Sequence, residues 1–422
     1  MISEHLLGWL TLLVVILVIT LIARKHPKTS NFIFVALILR SLAVIFDEYF
    51  FSLPGSSMDA WTFEQFAFRY SENYGLDIFS QILKGDSYFL SRIISIFYTL
   101  LDRSPMMAKM FSVGFGTATV FLIYRLTLIL WGSRTALKVG WFTTFFPTLI
   151  LYSAIIMREV YVIFFLTYAL ISCVNFIDKY KFIYFLKSFF GFFVTALFHG
   201  PMILGFFVFL IYVFFLILKK NNYFIRFKKK NIYFIFLLPL ILIPIVTFFL
   251  GYYEIPKIGH FNNIGDLKTE DQKEVSSLKD RLLWKMDKAQ KQCATWKVCK
   301  ASYPSWVVPK DVGDMIFLAP VRMFYFLYSP FPWDIKKPSH LIGLVESIFY
   351  IYLSICIFRN RKTLFENPQT RFLIVILIMY IFVFSFGVGN FGASIRHRLK
   401  FFGILMAIAA PTIARIKLSK IK

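Results

Sequence analysis

The side chains able to do acid–base or anion chemistry in this chain stand mostly between its apolar segments. The acids are Asp47, Glu48, Asp59, Glu64 and Glu159, and the cationic groups are Arg158, His199, Arg396, His397 and Arg398. Asp59 is the carboxylate best suited to act as a general base. It sits in Pro54-Gly-Ser-Ser-Met-Asp59-Ala-Trp-Thr-Phe-Glu64, a turn-forming run that leads into an aromatic stretch. Beside Trp61 and Phe63 at the edge of an apolar layer, it is expected to be partly desolvated, which raises its basicity. Such a group suits removal of a proton from a sugar hydroxyl. The plainer role open to Asp59, as to Ser57, is a helix N-cap. Asp47 and Glu48, where an apolar run ends, compete for the same task.

Arg158-Glu159 follows Tyr152-Ser-Ala-Ile-Ile-Met157 and opens the next apolar run. Charges at that depth are costly unless they pair or face a polar cavity. Two roles stay open: structural pairing, or Glu159 orienting an acceptor while Arg158 meets a phosphate. The run Gly387-Val-Gly-Asn390-Phe-Gly-Ala-Ser394-Ile-Arg396-His397-Arg398 offers a flexible approach and two arginines around a histidine. Guanidinium forks match phosphate oxygens in a bidentate way. The expected ligand is a head group bearing phosphate or pyrophosphate, with anchoring to lipid phosphates as the alternative. His199, in Phe198-His199-Gly-Pro, is either a structural turn residue or part of the same polar face. No Walker loop, GxGxxG, HExxH or Cys/His ladder is present, so no cofactor or metal is expected.

The elements that carry these residues follow from composition. Of 422 residues, 58% are hydrophobic and 17% charged. Several runs reach the length of about 20 residues that a helix needs to cross a hydrocarbon core of about 30 Å. The fold class is therefore all-α, a polytopic helical membrane protein. The net charge of +24 would suggest nucleic acid in a soluble protein. Here lysines and arginines flank the apolar runs as topology signals and meet anionic lipid, so the bilayer is the expected partner and nucleic acid is not. The first run, Leu6 to Ala23, lacks a basic n-region and a small-residue cleavage site and reads as a retained span.

Eleven spans are expected, at about 6–23, 31–46, 108–131, 139–156, 159–177, 182–198, 202–218, 232–250, 340–358, 372–388 and 399–414. Basic clusters at Arg24-Lys25, Arg134 and Lys138, Lys179 and Lys181, Lys219-Lys220 and Arg359 to Lys362 mark cytoplasmic turns. The N-terminus is then outside, the C-terminus cytoplasmic, and the acids and arginines above face outward. The whole chain, 1–422, reads as a single integral membrane domain. Its first outer loop, 47–107, holds a predicted amphipathic helix from Ala60 to Tyr70 with Trp61 and Phe68 as anchors. Phe89 to Leu101 is too short for a span and is expected at the interface. A long outer loop covers 251–338, and within it Met315 to Tyr328 is read as interfacial or re-entrant, because a crossing would break the alternation. Cys173 and Cys356 read as small apolar residues. Cys293 and Cys299 share the long loop. Outside a bacterial inner membrane they form a local disulfide or remain two free thiols.

An outward N-terminus, a large first outer loop with an acid before an amphipathic aromatic helix, and many later spans resemble the GT-C superfamily of membrane glycosyltransferases. Phe326-Leu-Tyr-Ser-Pro-Phe-Pro-Trp333-Asp and Gly389-Asn-Phe-Gly-Ala-Ser-Ile-Arg396-His-Arg398 look like motifs of glycosyltransferases and O-antigen repeat-unit polymerases from bacterial surface-polysaccharide clusters. The resemblance spans most of the chain through short motifs. It implies a GT-C-like fold, a polyprenyl phosphate or pyrophosphate carrier for the donor glycan, and action at the outer leaflet of the inner membrane. It also implies contact with other polysaccharide-assembly proteins. On it, Asp59 corresponds to the first-loop catalytic acid. Arg396 and Arg398 match in kind the cations that neutralise the departing lipid phosphate, and Glu159 helps to position the acceptor. A tryptophan-rich oligosaccharyltransferase signature and a large soluble C-terminal domain are missing, which argues against transfer to protein. No Asp-xxx-Asp motif is visible, so the resemblance brings no metal. The other class to weigh is a flippase for the same lipid-linked glycan. It would place charges in mid-span along a path from both faces, often with an internal repeat. Arg40 and Arg125 lie within or near spans, but the polar inventory is one-sided and no repeat is evident.

Overall fold

The computed structural model describes residues 2–82, 88–218, 301–309, 311–335 and 340–415. In hydrocarbon a backbone must satisfy its own N–H and C=O groups within the segment, and long apolar runs do so as helices. The described chain is helical accordingly, with one isolated bridge between Ser302 and Asn390. Among the described residues, six helices are long and apolar enough to cross a membrane: Glu4–Lys25, Pro27–Tyr49, Pro105–Trp131, Glu159–Lys179, His340–Arg359 and Pro368–Phe386. The protein is thus an all-α membrane protein.

In chain order the longer elements begin with α1 (Ile2–Lys25), α2 (Ser30–Tyr49), α3 (Trp61–Tyr74) and α4 (Ile78–Gln81). Next come α5 (Phe89–Leu101), α6 (Pro105–Trp131), α7 (Ser133–Thr144) and α8 (Pro147–Ala154). They continue with α9 (Glu159–Lys179), α10 (Phe182–Phe198), α11 (Leu204–Leu218) and α12 (Val312–Tyr328). The last are α13 (His340–Arg359), α14 (Arg361–Glu366), α15 (Pro368–Phe386), α16 (Phe391–Arg398) and α17 (Phe402–Arg415). The chain divides into two compact units. The first is Met1–Ile255 with Cys356–Ile376 and Phe402–Lys422, and the second is Pro256–Ile355 with Leu377–Phe401.

In the first unit α6 is the central helix, packed against α1, α2, α7, α8, α9 and α17. Its start is well specified. Pro105 stands in the first turn, where its missing N–H is no loss, and the Ser104 hydroxyl accepts the Met107 N–H at 3.1 Å. Small residues let neighbours close on it: a Cβ at Gly114 would stand 3.2 Å from Val15, and one at Gly116 would collide with the Ser153 hydroxyl. Between α9 and α10 the approach is tighter still. A Cβ on Gly191 would lie 2.9 Å from the Cα of Ala169, the small-residue contact that membrane helices use in place of a hydrophobic drive.

The run 139–156 is not one helix. Pro147 has no N–H to donate and forces Phe146 into an extended conformation, so α7 stops and α8 starts anew. In the same way a 3-10 turn, Leu399–Phe401, precedes α17. The expected span at 232–250, the Cys293–Cys299 pair and most of the 251–338 loop lie outside the described residues.

The first loop folds as foreseen into amphipathic helices, and each buries one stripe. α3 turns Phe63, Glu64 and Ala67 inward, and α5 answers with Leu90, Ser91, Ile94, Ser95 and Tyr98. The Ser91 hydroxyl donates to the Phe63 carbonyl at 2.7 Å. Trp61 is exposed, whereas Phe68 is covered by the Arg103 guanidinium 4.1 Å above its ring. In the second unit α12, which contains Pro320, packs on α16. Tyr303, Val307 and Phe391 form a small apolar core there. Backbone bonds from Tyr303 to Gly389 (3.0 Å) and from Phe391 to Ala301 (2.9 Å) tie the two strands of chain together.

Candidate functional site

Helix ends collect the polar groups of the first unit. The Ser104 hydroxyl donates to the Glu4 carbonyl at 2.5 Å, and the Tyr49 hydroxyl meets His5 Nδ1 at 3.2 Å. These bonds put the start of α1, the end of α2 and the start of α6 at one end of the unit. Asp47 is sunk there. Its two oxygens accept the Leu53 N–H at 2.7 Å and the Ser56 hydroxyl at 2.8 Å. Lys109, from the first turns of α6, lies 2.7 Å from Asp47 and 2.6 Å from Glu48. A cation at the carbonyl end of α2 also suits the helix dipole.

Glu64 is closed in the same fashion. Arg103 Nε and Nη2 donate to its two oxygens at 2.9 and 2.8 Å, a bidentate fork. The Tyr98 hydroxyl (3.3 Å) and Gln65 Nε2 (2.9 Å) complete the shell. The hydrogen bond to Glu64 raises the Arg103 guanidinium above its ordinary range, and burial, then the Glu64 charge, pushes the Tyr98 phenol up. Asp47, Glu48 and Glu64 were expected to bind substrate. In the fold they instead hold the first loop to α2, α5 and α6, because Lys109 and Arg103 reach them first.

Asp59 is different. It lies in a π-helical turn, Ser56–Ala60, launched by Gly55 in the left-handed region (φ 90°), and its side chain is exposed. Trp61 is exposed as well, and Phe63 points inward. Glu159 is fully buried at the start of α9, with Arg158 Nε 4.0 Å from its carboxylate. The Arg158 guanidinium stands 6.0 Å from the ring centre of Phe63 on α3. His199 ends α10, its N–H donating to Thr195, and the preceding Phe198 packs on Phe89 and Tyr161. Glu64 thus lies on α3, Asp59 just before it and Arg158 near Phe63, while Asp47 and Glu48 are tied to α6 through Lys109.

An open cleft of about 490 Å³ lies at this end. Its polar lining includes Glu4, Glu72 and Asp102, with Ser71, Thr99 and Arg103. Sequence reasoning missed Glu4, Asp102, Arg103 and Lys109 as candidates. The available signal was Arg103 just before the start of α6 and Lys109 in its first turns, two cations placed close after a stretch rich in acids.

The C-terminal candidates belong to the second unit. Asn390 is a helix N-cap: its Oδ1 accepts the Ala393 N–H at 2.7 Å and starts α16. The run is a capped helix, not the flexible approach expected. Arg398 is fully buried. Its Nη1 donates to the carbonyls of Leu327 (3.0 Å) and Ser329 (2.6 Å), its Nη2 to Gly343 (3.3 Å), and the group lies 4.6 Å over the Tyr350 ring. This corrects the expected phosphate clamp. Arg398 stitches the two motifs of the resemblance, 326–334 and 389–398, to each other. Arg322, not singled out from sequence, does similar work, donating to Ser385, Val307 and Val388 carbonyls. Arg396 is half-buried, and His397 Nδ1 contacts Lys400 Nζ at 2.6 Å over Phe384. The Tyr303 hydroxyl bonds to the Ser394 hydroxyl, and burial pushes the Tyr303 phenol up.

Among the described residues no group of three or more His, Cys, Asp or Glu side chains is set to hold a metal ion. No protein-family model matches the chain, and no curated protein matches it.

Proposed function

We propose that the protein is an integral membrane glycosyltransferase of surface-polysaccharide assembly, using a donor glycan carried on polyprenyl phosphate or pyrophosphate. The preferred form is a repeat-unit polymerase of the O-antigen or capsule kind. It is GT-C-like with eleven spans, set in a bacterial inner membrane with the N-terminus outside and the C-terminus in the cytoplasm, and it works beside other assembly proteins. The observation that supports this reading is the convergence at one end of the first unit. Arg158, 4.0 Å from Glu159, stands 6.0 Å from the Phe63 ring of α3, Phe198 beside His199 packs on Phe89 of α5, and a separate open cleft of about 490 Å³ is lined by Glu4, Glu72, Asp102 and Arg103.

In the proposed reaction an acceptor hydroxyl attacks the anomeric carbon of the donor sugar. The bond from that carbon to the carrier's phosphate oxygen breaks, and the phosphate leaves with the electron pair. Asp59, being exposed, takes the hydroxyl proton. Glu159, buried beside Arg158, helps to position the acceptor. Arg396, which belongs to the second unit, is tested by itself as the candidate for neutralising phosphate charge, the kind of electrostatic stabilisation that carries such transfers. Complementation of a deletion strain with Asp59→Asn or Arg396→Ala, at normal protein level, is expected to leave surface glycan capped with a single unit. Full-length polymer in both variants would remove the proposed site.

One observation favours a second reading. Arg40 is completely buried halfway along α2, and mid-span charges mark translocation paths. A flippase for the same glycan predicts that the deletion strain displays no unit at all.

A further inference from the structure

Arg40 carries a second site, independent of the glycan chemistry. The residue stands near the middle of α2 with none of its surface exposed. Its Nη1 donates to the carbonyls of Ala36 at 3.0 Å and Thr144 at 3.5 Å. Nε and Nη2 have no hydrogen-bond partner among the described residues, and no described carboxylate pairs with the group. These two nitrogens form one edge of the guanidinium, the fork that takes two-point acceptors. On Arg103 that same edge is filled by Glu64, at 2.9 and 2.8 Å. On Arg322 it is filled by the Ser385 carbonyl, at 3.1 and 2.8 Å.

The surroundings of the Arg40 fork are close-packed. Gly116 of α6 faces it, and a Cβ there would stand 3.3 Å from Arg40 Nε and collide with the Ser153 hydroxyl. The same two helices hold two more buried hydroxyls without a described partner, on Ser41 and Thr117. A water could take both N–H groups but would leave the positive charge uncompensated, one of the costliest things a protein interior can hold. Complete burial excludes anything larger than a small ion.

We infer that the fork of Arg40 binds a small monovalent inorganic anion, of the halide class, inside the helix core of the first unit. The anion is structural: it supplies the negative charge that a carboxylate supplies to Arg103.

The test uses the full-length protein in detergent micelles, comparing sodium chloride and sodium bromide with sodium gluconate at matched ionic strength, so that screening is equal. Halides are expected to raise Tm saturably, by a few degrees at about 100 mM, as for any ligand that binds the folded state alone. Arg40→Gln is expected to lose that response. Equal Tm in the three salts would overturn the inference, as would a halide response that survives in Arg40→Gln. Where Arg40→Gln does not fold, anomalous scattering from a bromide crystal of the unaltered protein decides. A peak within hydrogen-bond distance of Nε and Nη2 supports the site, and bromide only elsewhere overturns it.

Discussion

Lys109 is the residue whose removal most sharply tests the account of the first unit. Its ammonium lies 2.7 Å from Asp47 and 2.6 Å from Glu48, with 12% of its side chain exposed. Lys109→Met keeps the stem and deletes the charge. It leaves two carboxylates side by side at the negative end of the α2 dipole, with the Asp47 side chain at 0% exposure and Glu48 at 17%. Breaking a buried pair by removing one partner costs about 3–5 kcal/mol. Asp47 keeps its bonds from Leu53 and Ser56, so the lower end applies, about 3 kcal/mol. That is roughly a hundredfold in the ratio of folded to unfolded protein. The measurement is the unfolding free energy in mixed micelles, from denaturant midpoints at unchanged slope. Asp47→Asn in the Lys109→Met background should recover about 1–2 kcal/mol, because the orphaned charge is gone while the shape remains. A loss under about 1 kcal/mol for Lys109→Met, or strictly additive effects in the double-mutant cycle, would refute the reasoning.

Arg398→Lys should destabilise the second unit by about 3 kcal/mol, since an ammonium cannot reach the Leu327, Ser329 and Gly343 carbonyls as the planar fork does. Thermal unfolding monitored by tryptophan fluorescence checks it, and an unchanged Tm would contradict the structural role. Gly191→Ala should cost about 2 kcal/mol through overpacking against the Ala169 backbone, and normal yield and Tm would argue against that close approach. Tyr98 predicts an alkaline limit. Its phenol is raised above the ordinary range, so its contribution is complete below pH about 10 and falls by about 1.4 kcal/mol per pH unit above it. Tyr98→Phe should flatten that slope in a pH series of unfolding midpoints. A variant with the original slope would place the titration elsewhere.

Much of the secondary structure was legible along the chain. Apolar length marked the six long helices, Ser104-Pro105 stands at the start of α6, and the stripe of Phe63, Glu64 and Ala67 made α3 amphipathic. The break at Pro147 was legible as well, since a proline bars its predecessor from the helical region. So was one hint about Arg398, which shares the i, i+3, i+7 stripe of Phe391 and Ser394, whereas Arg396 falls off it.

What tertiary structure alone decided is which charges remain available. Asp47, in the last turn of α2, and Asp59 are twelve positions apart, both carboxylates with aromatic neighbours in the sequence. One is locked by Lys109 from another helix, and the side chain of the other lies at the surface of the fold. Glu64, expected to bind substrate, is closed over by Arg103. The fate of a charge at a helix end depends on what the fold carries to within about 3 Å of it, since hydrogen bonds and ion pairs decay over that distance. Spacing along a chain records which side of a helix a residue occupies, but not what stands opposite.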